Sequence, residues 1–276
     1  MSKTYFLKRI VAVGKFYNRK AKQFFDFIKL KYRTQNKEVN SFNMSKKIVI
    51  LIPHADDEWI GCSQIIVHTN DVVLCNLNMP GGDTTELHMR RFEELKLISE
   101  KYNSRLLNLE YSNLENELTQ VILAEKPELI FVPFYYDWHE EHVKSMQCLC
   151  KCLGNIGEKK IKKIRIAMYQ VSVPIPNRWI NFALPMRKNE FYNKWQTFDT
   201  VYKTQVSLPW QRFRYSELIN GRLCNNYAAE VFSVLDCKVW CDFLEKELLN
   251  PNEKRMIKQN LQDMIAVRNI LMTIRP

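Results

Sequence analysis

The chain has 276 residues, 46% hydrophobic and 26% charged, the make-up of an ordinary globular protein that can bury a sizeable core. Its formal charge of +11 is uneven: residues 1–43 carry 11 Lys and Arg against only Asp26 and Glu38, a balance of +9, which leaves +2 for residues 44–276. A nearly neutral body argues against a nucleic-acid binder, and no apolar run approaches the roughly 20 residues of a bilayer span.

Residues 1–34 mix aromatic and aliphatic side chains with Lys and Arg at spacings that a helix would sort into an apolar side with basic flanks. Two readings fit. One is an in-plane helix on an anionic membrane surface; the other is a helix packed on the body or on another subunit. Thr34–Asn43 is polar and reads as a linker, so residues 1–43 form a basic arm and residues 44–276 the main domain. Ile10–Val13 is too short for the apolar core of an export signal, and a cytoplasmic location is the expectation, on the inner membrane face if the arm binds lipid. Eight cysteines, among them Cys148, Cys150 and Cys152 at alternate positions, match no zinc-ligand spacing and are expected to be reduced.

From Ile48 onward the pattern alternates. Strands are predicted at Ile48–Ile52, Val72–Leu77, Arg105–Leu109, Leu129–Pro133 and Ile164–Val173, with helices near Glu58–His68, Glu86–Tyr102, Leu114–Glu125 and Glu140–Leu153. Helix-length crossovers between apolar strands predict an α/β fold, Rossmann-like, with a mostly parallel sheet covered by helices on both faces. The glycine-rich turn of a dinucleotide binder is missing. Residues 174–230 read as irregular, aromatic-rich helices punctuated by Pro174, Pro176, Pro185 and Pro209. A C-terminal helix is signalled by Asn250, Pro251 and Glu253, with an apolar stripe from Met256 to Leu271.

The first predicted strand ends in His54, Asp56 and Asp57, and the fourth is followed by Asp137, His139 and His142. Taken singly, His54 suits a hydrogen-bonded core residue, and Asp56–Asp57 suits a helix cap. Together, after two buried strands, they form a constellation: His54, Asp57 and His142 give two imidazoles and a carboxylate, a catalytic metal set, with Asp56 and His139 spare for proton transfer and oxyanion stabilisation. Trp59, Tyr135, Tyr136 and Trp138 flank these loops and suit either sugar stacking or core packing.

The motifs HADDE (His54–Glu58) and, about eighty residues later, DWHEEH (Asp137–His142) resemble those of the LmbE/PIG-L family of zinc-dependent de-N-acetylases, usually HPDDE and HPDH, and most of all its bacterial sugar deacetylases. The likeness extends to Arg91-x-x-Glu94 after Gly81-Gly82-Asp83, to Tyr169–Pro174, to Lys203–Gln205 and to Ala229–Phe232, over roughly residues 46–235. It implies His54, Asp57 and His142 as ligands of Zn²⁺, with Fe²⁺ as the other candidate metal. It further implies Asp56 as general base, His139 as oxyanion stabiliser or acid, and Arg91 as the sugar contact, with Arg90 as the other register; Asp83 and Trp138 join it as expected substrate contacts. Ala55 replaces the usual proline, and Glu140-Glu141 replaces Pro-Asp. Glu141 keeps a carboxylate that, with Asp137, can orient a histidine. The expected function is removal of acetyl from an N-acetylamino sugar, lipid-linked or nucleotide-linked; the alternative is a non-catalytic carbohydrate-binding or scaffold subunit on the same fold.

Overall fold

The computed structural model describes residues 3–42, 46–82, 84–205 and 210–274. In chain order the elements are α1 (Lys3–Arg33), β1 (Ile48–Ile52), α2 (Asp57–His68), β2 (Val72–Asn76), α3 (Thr85–Lys101), β3 (Arg105–Asn108), α4 (Leu114–Glu125), β4 (Leu129–Pro133), α5 (Glu140–Ile156), a short α6 (Glu158–Ile161) and β5 (Arg165–Tyr169). There follow β6 (Phe182–Met186), α7 (Lys188–Val201), α8 (Trp210–Asn220), β7 (Ala228–Asp236), α9 (Cys237–Glu247), α10 (Pro251–Asn260) and α11 (Met264–Ile274).

The strands form one mixed sheet in the order β3-β2-β1-β4-β5-β7-β6. The first five run parallel, β7 is antiparallel to β5, and β6 is antiparallel to β7. Successive residues of each inner strand point to opposite faces, which divides the core in two. Val49, Leu51, Ile130 and Val132 face α4, α5 and α9; Ile48, Ile50, Ile52, Leu129 and Phe131 face α2, α3 and α7. Both sides are apolar, so these strands are continuous hydrophobic runs, as parallel strands buried on both faces require. Strand order reverses between β1 and β4, and the crevice beyond their carboxyl ends is the expected ligand site.

One strand, β6, appears where irregular helices are expected, and β7 begins at the end of that stretch with Ala228–Glu230. β6 carries Pro185, which a strand tolerates at a sheet edge, and β6 is the edge. The C-terminal helix is two helices, α10 and α11, because Asp263 Oδ1 accepts the backbone N–H groups of Ile265 and Ala266 and starts a new helix.

The second half of α1 packs on the body. Phe27 stacks on Tyr215 of α8 with ring centroids 4.5 Å apart, Gln23 Nε2 donates to Gln262 Oε1 at 2.9 Å, and Lys22 bridges Asp26 and Asp263 at 3.1 and 2.7 Å. Its other side stays apolar and exposed: Tyr17, Phe25 and Tyr32 are 65%, 69% and 83% accessible. Residues 34–42, read as a linker, run along the sheet: Asn40 bridges to Phe182, Lys37 Nζ donates to Ile180 O at 2.5 Å, and Phe42 is buried among Phe131, Phe182 and Phe232. Asn43 lies outside the described residues.

Candidate active site

Beyond β1 the chain turns directly into α2. Asp57 N donates to His54 O at 3.1 Å and Asp57 Oδ2 accepts from His54 N at 3.0 Å, so the aspartate folds back over the histidine. Beyond β4, Asp137 Oδ1 accepts the His139 N–H at 2.8 Å, and His142 follows in the first turn of α5. The two loops bring three donor atoms together. His54 Nδ1 stands 3.3 Å from His142 Nε2 and 3.4 Å from Asp57 Oδ2, and His142 Nε2 stands 3.2 Å from Asp57 Oδ2.

That triangle has the dimensions of a metal face. Donors about 2.0–2.1 Å from a tetrahedral zinc lie about 3.3–3.4 Å from one another. The remaining ring nitrogens are each turned onto a carboxylate: His54 Nε2 to Glu141 Oε2 at 2.5 Å and His142 Nδ1 to Asp137 Oδ2 at 2.8 Å, the arrangement that fixes tautomer and ring orientation in metal sites. The residues present therefore fit a Zn²⁺-type ion. A second, overlapping set also fits: ring nitrogens of His54, His139 and His142 lie within 4.8 Å of one another.

Charges in the pocket follow from burial and proximity. Burial works against ionisation of Asp57, but His142 and His54 hold it far below the usual carboxylate range. Burial would lower His142, but Asp57 and Asp137 raise it well above the usual value. The bond to His54 holds Glu141 at about 2. Burial, reinforced by His142 and His54, pulls His139 down to about 4, so this ring is neutral, and its Nδ1 has no partner among the described residues.

Asp56 is buried, and its carboxylate accepts no hydrogen bond from the described residues. Burial raises its affinity for a proton, and Asp57 and Glu58 add to this while Arg91 opposes it. Its backbone has φ 124°, a region costing on the order of 1–3 kcal/mol for a residue with a side chain. The strain is held by Glu58, whose Oε2 accepts the Asp56 N–H at 3.0 Å, while Oε1 accepts the hydroxyl of Tyr202. Glu58 itself is pushed up to about 7 by burial. Underneath, Gly61 leaves room for the Tyr169 ring: a Cβ there would overlap Tyr169 Cδ2.

The other expected substrate residues lie further out. Arg91 is half-buried and reaches Gln205 Oε1 at 3.5 Å, whereas Arg90 is exposed. Glu94 accepts both the N–H and the hydroxyl of Thr204, so the Arg91–Glu94 and Lys203–Gln205 segments meet. Trp138 is half-buried with its ring beside His139, while Trp59, Tyr135 and Tyr136 belong to the core. Asp83 lies outside the described residues. Sequence reasoning singled out neither Tyr202 nor Ser172, whose Oγ is 3.4 Å from His142 Nδ1. Ser172 lies in the Tyr169–Pro174 segment that the family resemblance had marked.

The fold and the pocket define an α/β protein whose sheet switch point gathers side chains able to hold a metal ion. Among solved structures it is similar to N,N′-diacetylchitobiose deacetylase from Pyrococcus horikoshii in complex with its inhibitor, with 18% identity over 71% of this chain and 86% of that one and a TM-score of 0.55. It is also similar to a conserved protein from Thermus thermophilus, with 17% identity over 68% and 93% of the two chains and a TM-score of 0.54. A third is a triple mutant of a deacetylase from the teicoplanin biosynthetic pathway, with 11% identity over 68% and 98% and a TM-score of 0.50. At these identities the likeness is one of fold. No protein-family model matches the chain, and neither does any curated protein.

Proposed function

We propose that this protein is a metal-dependent hydrolase of the LmbE/PIG-L kind that removes the acetyl group from an N-acetylamino sugar. The observation that carries this reading is the 3.2–3.4 Å triangle of His54 Nδ1, Asp57 Oδ2 and His142 Nε2 with an unpartnered carboxylate, Asp56, next to it in the chain. The deacetylases of similar fold support it. Those three residues would hold Zn²⁺ or Fe²⁺, and a metal there supplies Lewis acidity toward water and the acetyl carbonyl. Asp56 accepts a proton as a water oxygen bonds to the carbonyl carbon. Neutral His139, with its free Nδ1, donates an N–H to the oxygen that gains negative charge. The C–N bond then breaks, the sugar nitrogen takes up the proton, and acetate and a free amine leave. Arg91, Trp138 and Asp83 are assigned to the sugar, and Glu141 and Asp137 to holding the two histidine rings. Acetate release from N-acetylglucosamine glycosides, abolished by chelator and restored by Zn²⁺, tests the reading; full acetate release from metal-stripped protein rejects it.

The partner beyond the substrate is an anionic membrane surface, reached through α1. Val13, Tyr17, Phe25 and Tyr32 turn away from the body, flanked by exposed Lys15, Arg19, Lys20, Lys29 and Arg33, and the helix has a single acid, Asp26, which is buried against Lys22. A second copy of α1 on that face would set like charges against each other. No helix among the described residues is long and apolar enough to cross a membrane, so the proposed contact lies in the plane of the surface.

A further inference from the structure

Helices α8 and α11 meet beside the loop that follows β5, and the narrow cleft between them is lined by two arginines. Arg268 of α11 donates Nη2 to Ser216 Oγ at 3.2 Å, and Ser216 is one helical turn beyond Arg212 on α8. Arg212 donates Nη1 to Leu261 O at 2.8 Å and lies over the Phe213 ring. Neither guanidinium forms an ion pair with a carboxylate of the described residues, and much of the remaining wall is apolar: Val171, Val173, Pro174, Met264 and Val267. Charged forks in such surroundings are unfavourable without a counter-charge. Burial accordingly pulls both to about 10, with Asp137 the one carboxylate that favours the charge on Arg212.

Each guanidinium has five N–H donors, and each turns one of them inward, Arg212 to a carbonyl and Arg268 to a hydroxyl. Two unneutralised forks on one cleft suit a tetrahedral anion of charge near −2 better than a single carboxylate. The position of the cleft says whose anion it is. Ser172 lines it, and the Ser172 hydroxyl stands 3.4 Å from His142 Nδ1, the ring nitrogen that faces Asp137 on the side of His142 away from the metal-binding triangle. On the far side Arg268 and Pro174 also line a second, wider groove, walled by Leu30 of α1 together with Ile175, Leu271 and Met272.

We propose that Arg212 and Arg268 bind a phosphoryl group carried by the amino-sugar substrate, with the α1–α11 groove receiving the carrier beyond it. The word substrate rests on the deacetylase reading above; the anion site does not. The test compares acetate release by the full-length, metal-loaded protein on methyl N-acetylglucosaminide, N-acetylglucosamine 1-phosphate, a nucleotide-diphosphate-linked N-acetylglucosamine and a short-chain prenyl-diphosphate-linked one. At least one phosphorylated compound should be preferred by about 10- to 100-fold in kcat/KM, the worth of one or two charge-assisted hydrogen bonds. Arg212→Gln and Arg268→Gln should each shrink that preference, and Arg→Lys should keep part of it. Because the preference is a ratio within one sample, partial misfolding does not move it. Whether the nucleotide or the prenyl compound leads identifies the carrier. In parallel, inorganic phosphate should raise the thermal midpoint of the wild-type protein more than that of either Gln variant. Equal kcat/KM on phosphorylated and plain sugars, with no arginine-dependent stabilisation by phosphate, overturns the inference and leaves the deacetylase standing. Arginine-dependent stabilisation with no acetate released from any compound overturns the deacetylase and leaves the anion site.

Discussion

Tyr202 donates its hydroxyl proton to the carboxylate of Glu58, and the other oxygen of that carboxylate accepts the backbone N–H of Asp56. A tyrosine at the end of α7 thus holds the conformation of a loop at the end of β1. Tyr202→Phe leaves Glu58 buried with one partner fewer, which should lower stability by about 1–3 kcal/mol in urea denaturation. Because the Asp56 backbone is strained, the same variant should also lose turnover out of proportion to substrate affinity. Unchanged kcat in Tyr202→Phe would show that the loop holds itself.

The two adjacent aspartates should separate cleanly. Asp57→Ala removes one corner of the donor triangle and is expected to lose bound metal and acetate release together. Asp56→Ala should keep its metal in elemental analysis while turnover drops by about 10²–10⁴-fold, the usual contribution of a positioned base. An Asp56→Ala enzyme that works near the wild-type rate removes Asp56 from the mechanism.

Lys194 is enclosed by Glu217 and by Glu230 of β7, with Ser63 and Gln64 also donating to Glu230. Burial pushes Glu217 from its ordinary value of 4.5 up to about 7, so the folded state holds this proton more tightly than the unfolded chain does. Its contribution is therefore fully present below about pH 4.5 and is lost as pH rises through 7. Glu217→Gln cannot titrate, and its unfolding midpoint should depend less on pH across that window than the wild-type midpoint. Parallel pH profiles for the two proteins would contradict the assignment.

For the membrane reading, the full-length chain carrying Tyr17→Ser, Phe25→Ser and Tyr32→Ser should sediment with phosphatidylglycerol-containing vesicles at least about tenfold more weakly than wild type, since each buried aromatic contributes on the order of 1.5–3 kcal/mol. The three side chains lie off the body, so folding should be preserved. Equal sedimentation of both proteins, or a wild-type dimer that the substitutions dissociate, assigns the exposed face to something other than lipid.

The parallel half of the sheet was legible because Ile48–Ile52 and Leu129–Pro133 are buried on both faces and so are unbroken apolar runs. The antiparallel part was not. Pro185 speaks against a strand unless the strand is known to be an edge, and Glu230 interrupts β7 for a partner, Lys194, that is remote in sequence. The three residues of the triangle drew notice in the sequence because they lie in the loop or first helical turn after β1 and β4. Their supports, Tyr202 above all, come from elements brought in by tertiary packing. Arg212 and Arg268 were invisible for the same reason: each sits in an unremarkable helix, and only the meeting of α8 and α11 sets them on one cleft.

At residue 56 the backbone adopts φ 124°, where glycine is at ease and aspartate is not. Asp56→Gly should therefore yield a protein that melts higher and turns over as slowly as Asp56→Ala. Selection for thermal stability alone would drift toward glycine here, while selection for turnover would return aspartate, which makes this one codon the point where durability and chemistry compete.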